Sequence, residues 1–366
     1  TAISIDNPLG WELSSVPVGY GGELSNNDLA VGYRRASLSW YSIDPIFYSS
    51  QRPSGITDSD LNSYATRRVF LDEIFPNVDV VQGQSQVVYT MDLAYRPEVR
   101  GPYNYNPAAA GNNLLPDPSQ NFAGITRGLN STNFEQSNVE FIEFWLMDPF
   151  IYPENSGNNG GTMAFNLGSI SEDVLKDGRK QYENGLPPDG TEALTVNTAF
   201  GQVPADQSLI YAFDSEGQAR TVQDAGYDGL GDAEEAIKFP SFAGLEDPAA
   251  DNYNYFLNTT GSIVERYKEY NGSQGNSPAQ ISETNRGNST LPTTEDLNRD
   301  NTMNTVNSYF EYEVEIFPGM DIDNNPFITD VKEVTAPTPN GQDIPVRWVQ
   351  FKVPIFEPTG AVGGIA

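Results

Sequence analysis

The chain contains no cysteine and no histidine in its 366 residues. Without a thiol there is no cysteine nucleophile and no disulfide. Without an imidazole there is no Ser-His-Asp relay and no zinc site of the usual ligand type. Lysine is scarce: six of the twenty basic residues, the other fourteen being arginine. Arginine's planar, permanently charged fork suits fixed carboxylate partners better than a solubilising coat. Long apolar runs are also missing, and none approaches the roughly 20 residues of a membrane-spanning helix. The opening TAISIDNPLG has neither a basic nor an apolar leader region, so a secretory leader is expected to be removed or to lie outside this stretch. Lack of cysteine leaves the compartment open.

What is abundant is acid. Fifty Asp and Glu against twenty basic residues give a formal charge of -30, which argues against nucleic acid or an anionic membrane surface as a partner and favours cations. Apolar residues make up 38% and aromatics 11%, with Gly, Pro, Asn, Asp and Ser filling the spaces between short apolar runs. That mixture predicts a mainly β fold, an antiparallel β-sandwich of jelly-roll type with long loops and a few short helices. The Pro- and Asn-rich stretch GPYNYNPAAAGNNLLPDPSQN, 101–121, suggests an N-terminal β-rich segment over 1–121 and a sandwich portion over 122–366. The alternative is one continuous co-folding unit. No internal repeat of fixed period is visible.

Period-two alternation marks the strands. In SQVVYTMDLAY, Val87, Tyr89, Met91, Leu93 and Tyr95 share one face; in SYFEYEVEIF, Phe310, Tyr312, Val314 and Ile316 face inward behind an outward row of Glu311, Glu313 and Glu315. FITDVKEVTA and VRWVQFKVPI flank PTPNGQDIP, whose Asn340-Gly341 pair predicts a hairpin. VEFIEFWLM is apolar on both faces and reads as a central strand, with Glu143 in a structural ion pair rather than as a catalytic acid. SISEDVLKDG is expected to form a helix capped by Ser171 and stopped by Gly178, and Thr57 with Asp60 a capping box.

Two loops have the spacing of a calcium site. In DAGYDGLGDAEE, Asp224, Asp228, Asp232 and Glu235 stand at positions one, five, nine and twelve, with the Leu230 carbonyl at seven and Gly229 at the turn. Position three is Gly226, so one side-chain ligand is missing. The competing reading is that Asp232 opens a short helix, AEEAIK, and the upstream aspartates make Asx turns. EDLNRDNTMNTVN offers Asp296, Asn298 and Asp300 at positions one, three and five, but lacks the turn glycine and the closing glutamate. Either loop could hold a weak structural Ca2+ completed by water. DIDNN, 321–325, reads as a turn. No catalytic residue is expected: with thiol and imidazole absent, only a carboxylate-pair hydrolase is conceivable, and no pair stands out among fifty acids. Trp40, Tyr41, Trp145 and Trp348 could line a sugar-binding face, but three of them sit inside apolar strands where core residues belong.

The motifs RRVFLDEIFP, RGLNSTNFEQSNVEFIEFWLMDPF, FNLGSISEDVLKDGRKQYENGLP, QDAGYDGLGDAEE, NRDNTMNT and RWVQFKVPI, in this order, resemble those of the SprA (Sov) family of Bacteroidetes. The resemblance runs from about residue 30 to the C-terminus. It implies a non-enzymatic role in the outer-membrane translocon of type IX secretion and gliding, whose partners are a PorV-like shuttle, a plug protein and secreted cargo. Since no stretch shows the spaced apolar bands of a barrel wall, the chain is expected to be a soluble, cap-like portion of a longer protein. Its expected place is the extracellular face of the outer membrane, with the periplasmic face as the alternative. The competing function is a calcium-dependent carbohydrate-binding or adhesive β-sandwich.

Overall fold

Glu311, Glu313 and Glu315 alternate with residues whose side chains meet a second sheet, and this alternation defines the main core. The computed structural model describes residues 2–365 apart from 79–85, 130–133, 135–137, 153–156, 181–194, 206–222, 224, 276–277, 279–281 and 286–291. In chain order the strands are β1 (Glu12–Leu13), β2 (Ala36–Tyr41), β3 (Val69–Phe70), β4 (Val87–Val88), β5 (Asp92–Arg100), β6 (Ile125–Thr126) and β7 (Phe141–Met147). They continue with β8 (Gly161–Ser169), β9 (Thr195–Asn197), β10 (Gln202–Pro204), β11 (Ser308–Ile316), β12 (Ile328–Pro337), β13 (Asp343–Pro354) and β14 (Gly360–Val362). The short α-helices among the described residues are α1 (Asp58–Asn62), α2 (Asp232–Lys238) and α3 (Ile263–Arg266).

The architecture is mainly β and antiparallel, with no closed barrel among the described residues. One sheet runs β14-β11-β8 and another β12-β13-β7. Tyr312 and Val314 from the first, and Ile328, Val349, Phe351 and Val353 from the second, are buried against one another. This is the sandwich that the sequence pattern predicts. The β12–β13 hairpin turns at Asn340-Gly341, where Gly341 has φ +79°, a left-handed conformation that a Cβ would penalise. Four two-stranded ladders, β1-β6, β2-β5, β3-β4 and β9-β10, complete the described sheets.

Packing ties together residues on both sides of position 121. Tyr41 and Phe47 share a core with Phe256, Ile263 and Tyr267, and Tyr64 and Val69 share one with Ala336, Val346 and Trp348. Tyr41 and Trp348 are buried in these interiors, and Trp40 is buried too, its Nε1 donating to the Trp11 carbonyl.

Three local expectations are corrected. VEFIEFWLM forms β7, which among the described residues lies at the edge of its sheet, not its centre. Its two apolar faces arise because Ile142, Phe144 and Leu146 meet the sandwich core while Trp145 and Met147 meet the N-terminal cluster around Tyr64. At the edge Glu143 is half exposed, pairing with Lys352 Nζ at 3.3 Å and accepting from Gln350 Nε2 at 2.7 Å. SISEDVLKDG is not helical. The Asp173 carboxylate accepts from the amides of Asp177 and Gly178, and Glu295 Oε1 accepts from those of Val174 and Leu175. With these amides claimed by carboxylates and Lys176 at φ +55°, a tight loop replaces the helix. SQVVYTMDLAY splits into β4 and β5, with Thr90 Oγ1 donating to Asp92 Oδ1 at the break. Leu93 and Tyr95 face outward from β5, 46% and 44% exposed. The Thr57–Asp60 capping box forms as expected at the start of α1.

Candidate functional site

The acid-rich loop folds into the turn that precedes α2. Gly226 and Gly229 adopt φ +70° and +68°, and the Gly229 amide donates to the Gly226 carbonyl. Asp228 is completely buried there. Its backbone carbonyl accepts from Gln202 at the start of β10, and its Oδ1 accepts from the Leu230 amide at 3.0 Å. Tyr105 Oη donates to Oδ2 at a long 3.4 Å. The strand approaches so closely that a Cβ on Gly201 would stand 1.8 Å from the Asp228 carbonyl oxygen.

Helix α2 begins with Asp232, Glu234 and Glu235 in its first turn and carries Lys238 in its last, an arrangement that complements the peptide dipoles. Glu235 points inward, fully buried, and accepts from the Ala249 amide through Oε2 at 2.8 Å. That bond brings in a third element. In the segment after α2, Asp247 accepts the amides of Asp251 and Asn252, and Arg100 donates to the Asp247 and Pro248 carbonyls. The result positions Asp251, also fully buried, against the turn.

Carboxylate oxygens of Asp228, Glu235 and Asp251 therefore lie within 4.8 Å of one another, and those of Asp232, Glu235 and Asp247 form a second such group sharing Glu235. Burial pushes Asp228 and Asp251 well above the usual carboxylate range, and neighbouring carboxylates add to the rise. Glu235 is pushed up to about 9, first by burial and then by Asp228. The nearby cations do not cancel this: Lys238 Nζ donates to the Thr198 carbonyl, and the Arg100 guanidinium to backbone carbonyls and Asn113. Dry carboxylates this close require either shared protons or a cation.

Of the first predicted ligand set, Asp228 and Glu235 meet in the buried group, and Asp232 joins the second while accepting from Asn252 Nδ2 at 3.2 Å. Leu230 is buried in the turn. Asp224 lies outside the described residues. Asp247, Asp251 and the nearby Tyr105 and Gln274 were not signalled by the loop spacing, because they come from other parts of the chain. The only sequence trace is the four-residue separation of Asp247 and Asp251 in LEDPAADNY.

The second acid loop is built differently. Asp296 is buried beside Lys180 Nζ at 3.4 Å and accepts the amides of Asp300 and Asn301. Asn298 Oδ1 accepts from the Asp300 amide, and Asp300 Oδ1 from that of Thr302. An ammonium group already sits beside the first carboxylate of that loop. Asp321 of DIDNN lies in a turn and pairs with Arg347 at 2.9 Å.

The family model SprA_N, described as a motility related/secretion protein, matches residues 234–366. Residues 234–366 belong to the SprA family. No curated protein matches the chain. The SprA match spans β11 to β14, most of α2, and Glu235 and Asp251 of the buried group. Strands β7 and β8, which complete the two SprA-region sheets, come from upstream of it. The match over this stretch associates the chain with motility and secretion, and so with the cell envelope. Among the described residues no helix is long and apolar enough to cross a membrane.

Proposed function

We propose that the chain is a non-enzymatic, cap-like portion of an outer-membrane translocon that supports protein export and gliding, standing at the extracellular face. The observation that carries this reading is the SprA-family match over β11 to β14, four of the six strands that form the main core. A chain without cysteine or histidine suits a structural and gating role, and a charge of -30 resists aggregation and repels acidic cargo at an exposed surface. Its partners in the parent protein are a PorV-like shuttle, a plug protein and secreted cargo.

The cysteine-free chain allows a direct test. In cells whose parent gene carries Phe356→Cys or Ile237→Cys, at side chains 63% and 79% exposed, a bulky membrane-impermeant maleimide should label intact cells and slow both export and spreading. Labelling only after the outer membrane is opened would move the chain to the periplasmic face. Full labelling with export and gliding unchanged would contradict the role.

A further inference from the structure

We propose that Asp228, Glu235 and Asp251 hold a divalent cation of the calcium class, with the Gln274 side-chain oxygen as a neutral fourth ligand. The proposal does not depend on the translocon reading.

A loop with calcium spacing but glycine at its third position is short of one oxygen. The fold supplies a replacement from elsewhere: a Cβ built on Gly226 would fall 2.1 Å from Asp251 Oδ2. The Asp251 carboxylate thus occupies the space that a side chain at 226 would enter. Asp251 has no exposed surface, and its Oδ2 receives no well-formed hydrogen bond, although the Tyr103 hydroxyl is close enough to favour its charged form. A fully buried acceptor with no well-formed bond is uncommon in a folded interior, and a cation would satisfy it.

Gln274 adds a third feature. Its amide stands 3.2 Å from Asp251 Oδ1 and 3.0 Å from Glu235 Oε1. With nitrogen turned inward it donates to both; with oxygen turned inward it becomes a ligand itself. The second arrangement is stable only with a positive ion among the oxygens. Three carboxylates and one amide oxygen make a hard donor set, which excludes soft metals and suits calcium, whose flexible shell of six to eight oxygens is completed by water. Magnesium demands a stricter octahedron and gives up water reluctantly. Asp232 and Asp247, grouped around the same Glu235, keep the surrounding field negative.

Terbium alone, as a calcium substitute, tests the site on the full chain, because Tyr103 and Tyr105 lie beside the carboxylates and would sensitise its emission. The expected result is saturable tyrosine-excited emission that calcium displaces and equal magnesium does not, together with a higher melting temperature in calcium than in chelator. Asp251→Asn should abolish both effects, Gln274→Leu should weaken terbium binding, and Asp300→Asn, at an exposed acid of the other loop, should change neither. If wild-type protein gives no sensitised emission and melts at the same temperature in calcium and chelator, the proposal is overturned and the three carboxylates share protons instead. That comparison needs no variant, so it decides even if Asp251→Asn fails to fold.

Discussion

Replacing Glu73 with alanine should destabilise the chain by about 3–5 kcal/mol, the cost of leaving a buried charge without its partner. Glu73 and Arg67 form a two-pronged pair at 2.7 Å on each arm, with side chains only 3% and 1% exposed. The same carboxylate accepts from the Phe70 amide at 2.8 Å and from Trp348 Nε1 at 3.1 Å. Its loss would strand a guanidinium, an amide and an indole donor in a dry core. Removing both charges together, as in Arg67→Met with Glu73→Leu, should cost less than the sum of the single changes, since neither charge is then left without its partner and only the Phe70 amide and the Trp348 indole lose theirs. Guanidinium denaturation of the four proteins gives the coupling directly. A loss below about 1 kcal/mol for Glu73→Ala would mean that the pair is open to water.

The second large effect is a dependence on pH that calcium removes. The raised groups Asp228, Glu235 and Asp251 bind more protons folded than unfolded, so the stability they contribute is complete below the ordinary carboxylate range. It is then lost as pH rises towards the folded value, about 9 for Glu235. In chelator, stability should therefore fall by of order a few kcal/mol between weakly acidic and alkaline pH. In calcium that decline should be largely offset, because the ion replaces the protons and binds more tightly as they leave. The chain's overall negative charge pushes in the same direction as the site, so the site's share is the difference from Asp251→Asn measured in parallel. A wild-type profile in chelator that is identical to that of Asp251→Asn would refute the assignment.

Several motifs that resemble the SprA family meet in space. Arg67 and Glu73 belong to RRVFLDEIFP, and their partner Trp348 belongs to RWVQFKVPI. Arg347 of that last motif pairs at 2.8 Å with Asp148 of the stretch ending in LMDPF. Arginine is thus used as its abundance over lysine suggests, fixed against carboxylates, but also against backbone oxygens: Arg35 donates to the carbonyls of Ser14, Pro102 and Val174. Composition could not have distinguished these two uses, because both bury the same side chain.

Alternation with strong turn residues was legible. The β12–β13 hairpin and the inward set of β11 follow directly from period two and from Asn340-Gly341. Position within a sheet was not, since an edge strand covered on both faces has the same apolar pattern as a central one, and β7 is such a strand. The failed helix at 171–178 has a different cause. Its capping serine is present, but Glu295, more than a hundred residues later, takes two of its amides, and local propensity carries no information about that. The buried acid group falls between these cases. Its nucleus, Asp228 and Glu235, was visible in the loop spacing. Its completing member, Asp251, was hidden because it enters from the next segment through the glycine at position 226.

The export role is tested most directly by trapping neighbours in the living cell. With a photo-crosslinking amino acid at position 237 or 356 of the full-length parent, illumination during active secretion should yield adducts with secreted proteins or with outer-membrane partners of the export machinery. These adducts should disappear when secretion is blocked. Adducts only to glycans or to nothing at all, from a parent that is present and correctly inserted, would contradict the account and favour a surface adhesin.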